Sequence, residues 1–286
     1  MSMRRLLLLL ALVTGCNAPE WGANALVHPA RRGSHGIPDG SESFEVDVGG
    51  GITLKGWWAK GLIPRRGLVL WLHGVGDNKD SAEGLIERWT KKGFDVAAYD
   101  SRAHGSSGGQ TCTYGFYEKG DVSRVLDVLG KAGASTDRTI LVGFSMGAAV
   151  ALQAVEAGEP RAIAVAALAP FADLRSAASH AAPFWMTRRS IDAAIARADQ
   201  LGQFAVDQVA PAAGQAQIHV PMLLVHGTND QKIGAADSQA IFGAGGPSRK
   251  LVLVDGANHD NLLDHAEAWA ALDQFLDGVA PPDGRK

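Results

Sequence analysis

The sequence predicts an α/β fold, a mostly parallel twisted sheet with helices on both faces, and three observations carry that expectation. Short, largely apolar runs recur between residues 68 and 254, helix-like stretches fill the intervals, and a glycine-flanked serine stands where one run gives way to a helix. Strands covered on both faces have this continuous apolar character, whereas strands with one wet face alternate. Alternation of strand with helix points to parallel pairing, because a parallel neighbour needs a crossover.

The pattern starts with a hairpin. Phe44, Val46 and Val48 alternate, Gly49-Gly50-Gly51 supplies a turn, and Ile52, Leu54 and Trp58 continue at even spacing. The apolar runs that follow are Leu68 to Leu72, Phe94 to Tyr99, Thr139 to Val142, Ile163 to Leu168, Met222 to Val225 and Leu251 to Val254. Helices are expected near Ser81 to Lys92, Glu118 to Lys131, Met146 to Ala157 and Asn261 to Leu276. In the last of these, Leu262, Ala266, Trp269, Leu272 and Leu276 form one apolar stripe. The interval from Phe171 to Ile218 has no strand pattern and is broken by Pro183 and Pro211. A structureless loop of that length is unusual in a compact domain, so short helices forming a cap over the strand ends are expected across 171–218.

The 286 residues contain no repeat or internal linker, so one domain is expected, over 44–280. With 46% hydrophobic and 20% charged residues the chain can bury a sizeable core. A net charge of -3 without a basic stripe argues against a nucleic-acid partner.

Residues 1–15 have the arrangement of a secretory signal: Arg4 and Arg5 precede the apolar run Leu6 to Val13, which is too short to span a bilayer. Leu12-Val13-Thr14-Gly15-Cys16 resembles the lipobox of bacterial lipoproteins. The resemblance implies cleavage before Cys16, lipidation of its thiol and an extracytoplasmic, membrane-anchored protein; an ordinary secretory signal with a chance cysteine is the alternative. Residues 16–43, rich in Gly, Ala, Pro and Ser without a period, then read as anchor and flexible tether. Lipidation would leave Cys112, the other of two cysteines, without an intramolecular partner; no strand-to-helix turn surrounds it, and a structural role is expected.

The sharpest local signal is Gly143-Phe144-Ser145-Met146-Gly147, directly after one strand and before an alanine-rich helix. Small residues flanking a serine at such a turn lift its hydroxyl above the sheet. A serine hydroxyl is a poor nucleophile at neutral pH and needs a base, itself oriented by a third group. Asp230 follows the strand Met222 to Val225 and His259 follows the strand Leu251 to Val254. Parallel strands end on one side, so loops after three of them can converge, and nucleophile, acid, base is the chain order known for this architecture. Asp173, in Pro170-Phe171-Ala172-Asp173, competes with Asp230 as the acid. His259, Asp260, Asp264 and His265 cluster in sequence, but no H-E-x-x-H or Cys/His framework accompanies them, so neither a metal nor any other cofactor is expected.

From about Phe44 to the C-terminus the chain resembles bacterial α/β-hydrolases, the broad group of esterases, lipases and serine aminopeptidase-like proteins with a G-x-S-M-G elbow. The group's H-G-x motif appears as His73-Gly74-Val75-Gly76, and the resemblance implies that the backbone N–H groups of Val75 and Met146 form the oxyanion hole. Asp100-Ser101-Arg102-Ala103-His104-Gly105-Ser106-Ser107 is similar to the group's D-x-R-x-H-G-x-S loop, which supports the site without reacting, so His104 is expected to be structural. The activity implied is hydrolysis of a small-molecule carboxylic ester through an acyl-enzyme. Amide or peptide hydrolysis is the alternative within the group, and a catalytically silent, membrane-tethered binding protein the alternative outside it.

Overall fold

A computed structural model describes residues 17–245 and 248–282. Eight strands form one sheet in the order β1-β2-β4-β3-β5-β6-β7-β8. The hairpin strands β1 (Ser41–Asp47) and β2 (Thr53–Ala59) pair antiparallel, and β2 joins β4 (Phe94–Tyr99) antiparallel. From there every ladder is parallel, through β3 (Gly67–Leu72), β5 (Thr139–Phe144), β6 (Ala162–Leu168), β7 (Met222–Gly227) and β8 (Arg249–Val254). This is the α/β-hydrolase fold, as the sequence leads one to expect.

Two apolar layers sandwich the sheet, and successive residues of a strand contribute to opposite layers. Leu68, Leu70 and Leu72 of β3 enter the layer shared with α3 (Glu118–Lys131) and α4 (Met146–Glu156). Val69 and Trp71 enter the layer shared with α2 (Glu83–Thr90) and α8 (Ala266–Val279). Both faces being dry, β3, β4 and β7 are buried at every position. Helix α4 buries every residue from Met146 to Val155, and its four alanines let it lie close against β5 and β6.

The interval 171–218, expected to form short cap helices, contains α5 (Leu174–Ala181), α6 (Arg188–Gly202) and two short 3-10 turns. Helix α7 (Ala235–Gly243), between β7 and β8, has no apolar stripe in its sequence and was not anticipated; it buries only Ser238 and Ile241.

The N-terminal segment departs from the sequence reading. Residues 17–27, placed above in the tether, form helix α1. Ala18, Ala23 and Val27 are buried, but alanine carries too little hydrophobic weight for the stripe to stand out in sequence. Small residues bring α1 close to the cap: a Cβ on Gly22 would lie 3.0 Å from Cβ of Ala194 and 3.4 Å from Cε of Met186. Beyond α1 the chain stays bound to the domain. Arg31 donates to the carbonyls of Ser107 (2.6 Å) and Gly109 (2.5 Å), and Ser34 Oγ donates to Asp80 (2.8 Å). The signal segment 1–15 and Cys16 lie outside the described residues. No helix among the described residues is long and apolar enough to cross a membrane.

Candidate active site

Ser145 ends the turn between β5 and α4 with φ 54° and ψ -116°, a conformation L-residues adopt only when their surroundings compel it. The compulsion is visible on both sides. A Cβ on Gly143 would stand 2.2 Å from the carbonyl oxygen of Gly147, and one on Gly147 would stand 2.0 Å from that of Leu72. Neither position tolerates a side chain, so the turn closes tightly and α4 starts hard against β3. The Ser145 N–H donates to Leu168 C=O on β6 (2.8 Å), fixing the serine to the sheet.

The loops after β7 and β8 are joined to each other. Thr228 N–H donates to Val254 C=O (3.0 Å) and Asn229 N–H to Ala257 C=O (2.9 Å), and a Cβ on Gly227 would stand 2.3 Å from Ala257 O. Asn258 Oδ1 accepts the amides of Asp260 (2.9 Å) and Asn261 (3.1 Å), while Asn261 Oδ1 accepts that of Asn258 (2.7 Å). These bonds give His259 a rigid pedestal. Its ring packs 5.0 Å from that of Phe144.

Asp230, His259 and Ser145 therefore meet. His259 Nδ1 is 2.7 Å from Asp230 Oδ2, and His259 Nε2 is 3.0 Å from Ser145 Oγ. A carboxylate only accepts, so Nδ1 carries the proton and Nε2 turns its lone pair toward the serine hydroxyl. Burial alone would raise the Asp230 carboxyl. Hydrogen bonds from His226, His259 and the Ile233 amide outweigh it and hold the group well below the ordinary carboxylate range, so it is ionised at neutral pH. Its Oδ1 accepts the amides of Lys232 and Ile233, both at 2.9 Å. All three side chains are nearly inaccessible.

The competing acid faces elsewhere: Asp173 is the N-cap of α5 and accepts the Ser176 amide at 2.7 Å. Asp260 pairs with Lys232 at 2.6 Å. Val75 stands exposed on the loop after β3, and Met146 is the first residue of α4, where helix amides lack intrahelical partners. Among the described residues neither N–H finds an acceptor.

The ring nitrogens of His73 and His104 hydrogen-bond to none of Ser145, Asp230 and His259 among the described residues. His73 Nδ1–H donates to Gly74 C=O (2.8 Å) and Nε2 accepts the Ser101 amide (3.0 Å), so the ring locks the loop after β3 to the loop after β4. In the latter loop Asp100 accepts from Lys79 Nζ (2.9 Å) and Ser106 N–H (2.8 Å), and Arg102 grips Asp121 through two hydrogen bonds. Burial, then the neighbouring His73, lowers His104 to about 4, so it is neutral at physiological pH. Burial pushes the Cys112 thiol well up, which keeps it protonated and unreactive.

The sequence reading missed His226. Buried on β7, it places Nε2 2.9 Å from Ile233 C=O and 3.4 Å from Asp230 Oδ2, while Nδ1 lies 2.7 Å from Ser238 Oγ. A carbonyl only accepts, so Nε2 carries a proton, and Ser238 Oγ hydrogen-bonds the other ring nitrogen. The available signal was a buried-strand histidine four residues before the acid.

Among the described residues, His35, Asp80 and Glu83 also bring metal-capable atoms within 4.8 Å, on the surface by the loop after β3. A cavity of about 680 Å³ near Arg102, Tyr117 and Glu159 touches none of the triad residues.

Residues 63–197 match the family model Hydrolase_4, described as serine aminopeptidase, S33; the match includes Ser145 and the loop of Val75 but ends before Asp230 and His259. The uncharacterised protein YqkD of Bacillus subtilis is 27% identical over 227 residues, covering 76% of this chain and 72% of that one. The uncharacterised protein YfhR of Escherichia coli is 22% identical over 287 residues, covering 96% and 94%. Among solved structures, the Pyrococcus furiosus esterase Pf2001 superposes with a TM-score of 0.73 at 23% identity, covering 88% of this chain and 99% of that one. A 2,6-dihydroxy-pseudo-oxynicotine hydrolase superposes with a TM-score of 0.66 at 21% identity, covering 86% and 70%.

Proposed function

We propose that this chain of α/β-hydrolase fold is a serine hydrolase that cleaves carboxylic esters through an acyl-enzyme. The observation that carries the proposal is the unbroken relay from the Asp230 carboxylate through both nitrogens of His259 to Ser145 Oγ. In the first half-reaction Oγ attacks the ester carbonyl carbon and its proton passes to His259 Nε2. The resulting oxyanion is held by the N–H groups of Val75 and Met146, each such donor being worth about 10²- to 10³-fold in turnover. The tetrahedral adduct collapses, the C–O bond to the alcohol breaks, and Nε2 returns the proton to the departing alkoxide. Water then repeats the sequence with the roles reversed, releasing the acid and free Ser145. Asp230 stays ionised throughout, keeping Nδ1 protonated and stabilising the imidazolium.

The ester assignment draws support from the apolar cap and from the likeness to an esterase. Hydrolysis of an amide or peptide is the second reading, favoured by the description of the family model. The Leu12 to Cys16 motif supports an enzyme anchored outside the cytoplasm through lipid on Cys16.

The test is fluorophosphonate labelling of wild type and Ser145→Ala, followed by rates on p-nitrophenyl esters and aminoacyl anilides. Labelling of wild type alone, with ester turnover reduced about 10⁶-fold in the variant, is the expected result. Equal activity in the two proteins refutes it, anilide turnover alone supports the amide reading, and a wild type that does not label supports a binding protein. Anchoring is tested by Cys16→Ala, which should shift the protein out of the membrane fraction.

A further inference from the structure

We infer that the aromatic ridge made by Trp21 of α1 with Phe184 and Trp185, between α5 and α6, docks on an anionic lipid surface and holds the protein with its cap toward the bilayer; this rests on the lipid-anchor reading of Cys16 and not on the ester reading. Met186 N–H donates to Pro183 C=O at 2.9 Å, closing a turn whose two central residues are Phe184 and Trp185. Such positions ordinarily go to glycine, proline, asparagine, aspartate or serine, whose backbone or side chain favours the turn. Here they display two large aromatics, Phe184 with 99% of its surface open and Trp185 half exposed. Helix α1 adds a third: the half-exposed Trp21 ring lies 5.9 Å from that of Trp185, and Gly22 lets the helix close on Met186. Contiguous apolar groups left open and rimmed by polar ones mark a contact surface.

Two observations select lipid as the partner. The first is position. Cys16 directly precedes Asn17, and Trp21 lies about 6 Å along α1 from Asn17 at ~1.5 Å per residue. The headgroup zone of one leaflet is about 5–8 Å deep. Acyl chains on Cys16 would therefore draw the first turns of α1 to the depth where tryptophan resides, its ring toward the acyl chains and its N–H toward water. The second observation is charge. The acids beside the ridge are already paired, Glu20 with Arg197 at 2.7 Å and Asp192 with Arg175 at 3.5 Å. Arg188 and Arg189 stand exposed just beyond Trp185. A cationic rim on an apolar ridge attracts phosphate-bearing headgroups. A lipid tether alone would leave the domain free to rotate, whereas a tether and a ridge together fix its orientation.

The test places the full chain, processed from its own signal, in vesicles of phosphatidylethanolamine and phosphatidylglycerol with brominated acyl chains, which quench indole fluorescence on contact. Trp57, Trp58, Trp71 and Trp89 are buried, and Trp269 belongs to the apolar layer on the opposite face of the sheet from α1, which leaves Trp21 and Trp185 to meet lipid. Wild type should be quenched, and the quenching should fall about twofold or more in Trp21→Tyr/Trp185→Tyr, which lacks both interfacial rings. Phe184→Asp, at a position too exposed to bear on folding, should lower it while both indoles remain, and Arg188→Gln/Arg189→Gln should lower it less. All variants should still float with the vesicles through the anchor. A wild type that floats without quenching, or quenching unchanged by Phe184→Asp, overturns the inference and leaves the anchor standing. A wild type that does not float overturns both. A dimer in detergent that Phe184→Asp dissociates assigns the ridge to a second copy of the chain and also overturns the inference.

Discussion

His226 and Asp230 face each other across the turn that closes β7, with His226 Nε2 3.4 Å from Asp230 Oδ2. The histidine is wholly buried and held on its other nitrogen by Ser238, so the acid is pinned by an imidazole as well as by backbone amides. In the proposed mechanism His226 is a positioning residue, acting on the serine only through Asp230 and His259. In His226→Phe the carboxylate keeps its place but loses a donor. Expected is a fall in kcat of about tenfold, the worth of ~1.4 kcal/mol, with KM little changed. A carboxylate with one donor fewer is more basic and stabilises the imidazolium of the base more strongly, so the acid limb of the kcat profile should move upward in pH. A merely structural histidine would leave that limb where it is, so pH-rate profiles on a soluble ester decide the matter.

Asp230 and Asp173 make a paired test. Asp230→Asn should cost about 10⁴-fold in kcat with the fold retained, since an amide can donate to His259 and reverse its tautomer. Asp173→Asn should leave kcat unchanged and, since asparagine also caps helices well, alter stability by a few tenths of a kcal/mol. Steady-state kinetics and thermal unfolding of the two variants check both statements; loss of turnover in the Asp173 variant would reassign the acid.

Gly147→Ala should prevent the elbow from closing. The new methyl would stand 2.0 Å from Leu72 O and 2.7 Å from His73 O, both backbone atoms of the packed strand end, so relief requires α4 to move off β3. A loss of about 3 kcal/mol or more is expected, read as a drop in denaturant midpoint. Gly158→Ala provides the contrast: its φ of 85° is strained for alanine but nothing lies within 4 Å, so only a backbone penalty of about 1 kcal/mol applies.

The buried His104 predicts a pH dependence of stability. Its folded value of about 4 lies below the ordinary 6.5, so the unfolded chain binds the extra proton first. Stability therefore falls as pH drops from about 6.5 to about 4 and levels off below that for this group. The lowered His73 adds to the same trend, and Asp230 adds a loss at more acid pH, where its depressed carboxyl takes up a proton. His104→Gln should flatten the curve between pH 6.5 and 4, removing up to about 3 kcal/mol of pH-dependent change. Urea denaturation at several pH values measures this, and an equally steep curve in the variant would rule out His104 as a source.

Much of this protein was legible before folding was considered. All eight strands lie where apolar runs or alternation place them, and the elbow is announced by Gly143 and Gly147, because these features follow from side-chain periodicity and backbone sterics within a few residues. Helix α7 and helix α1 were hidden for the same local reason: α7 buries only two residues, and α1 packs with alanines and a glycine, whose small size gives little hydrophobic contrast yet permits close approach to Ala194.

The sequence by itself determined the sheet, the order of its elements and the short list of groups that end its strands. Only the tertiary structure decided which of two carboxylates faces His259, that His226 stands behind it, and that residues 17–27 form a helix packed against α6. Those outcomes depend on where separate loops end in space. Asp173 and Asp230 both follow a strand end, and the sequence favours Asp230 by chain order without excluding Asp173; the hydrogen bonds joining the loops after β7 and β8 bring Asp230 to the imidazole, while the start of α5 claims Asp173 as its cap.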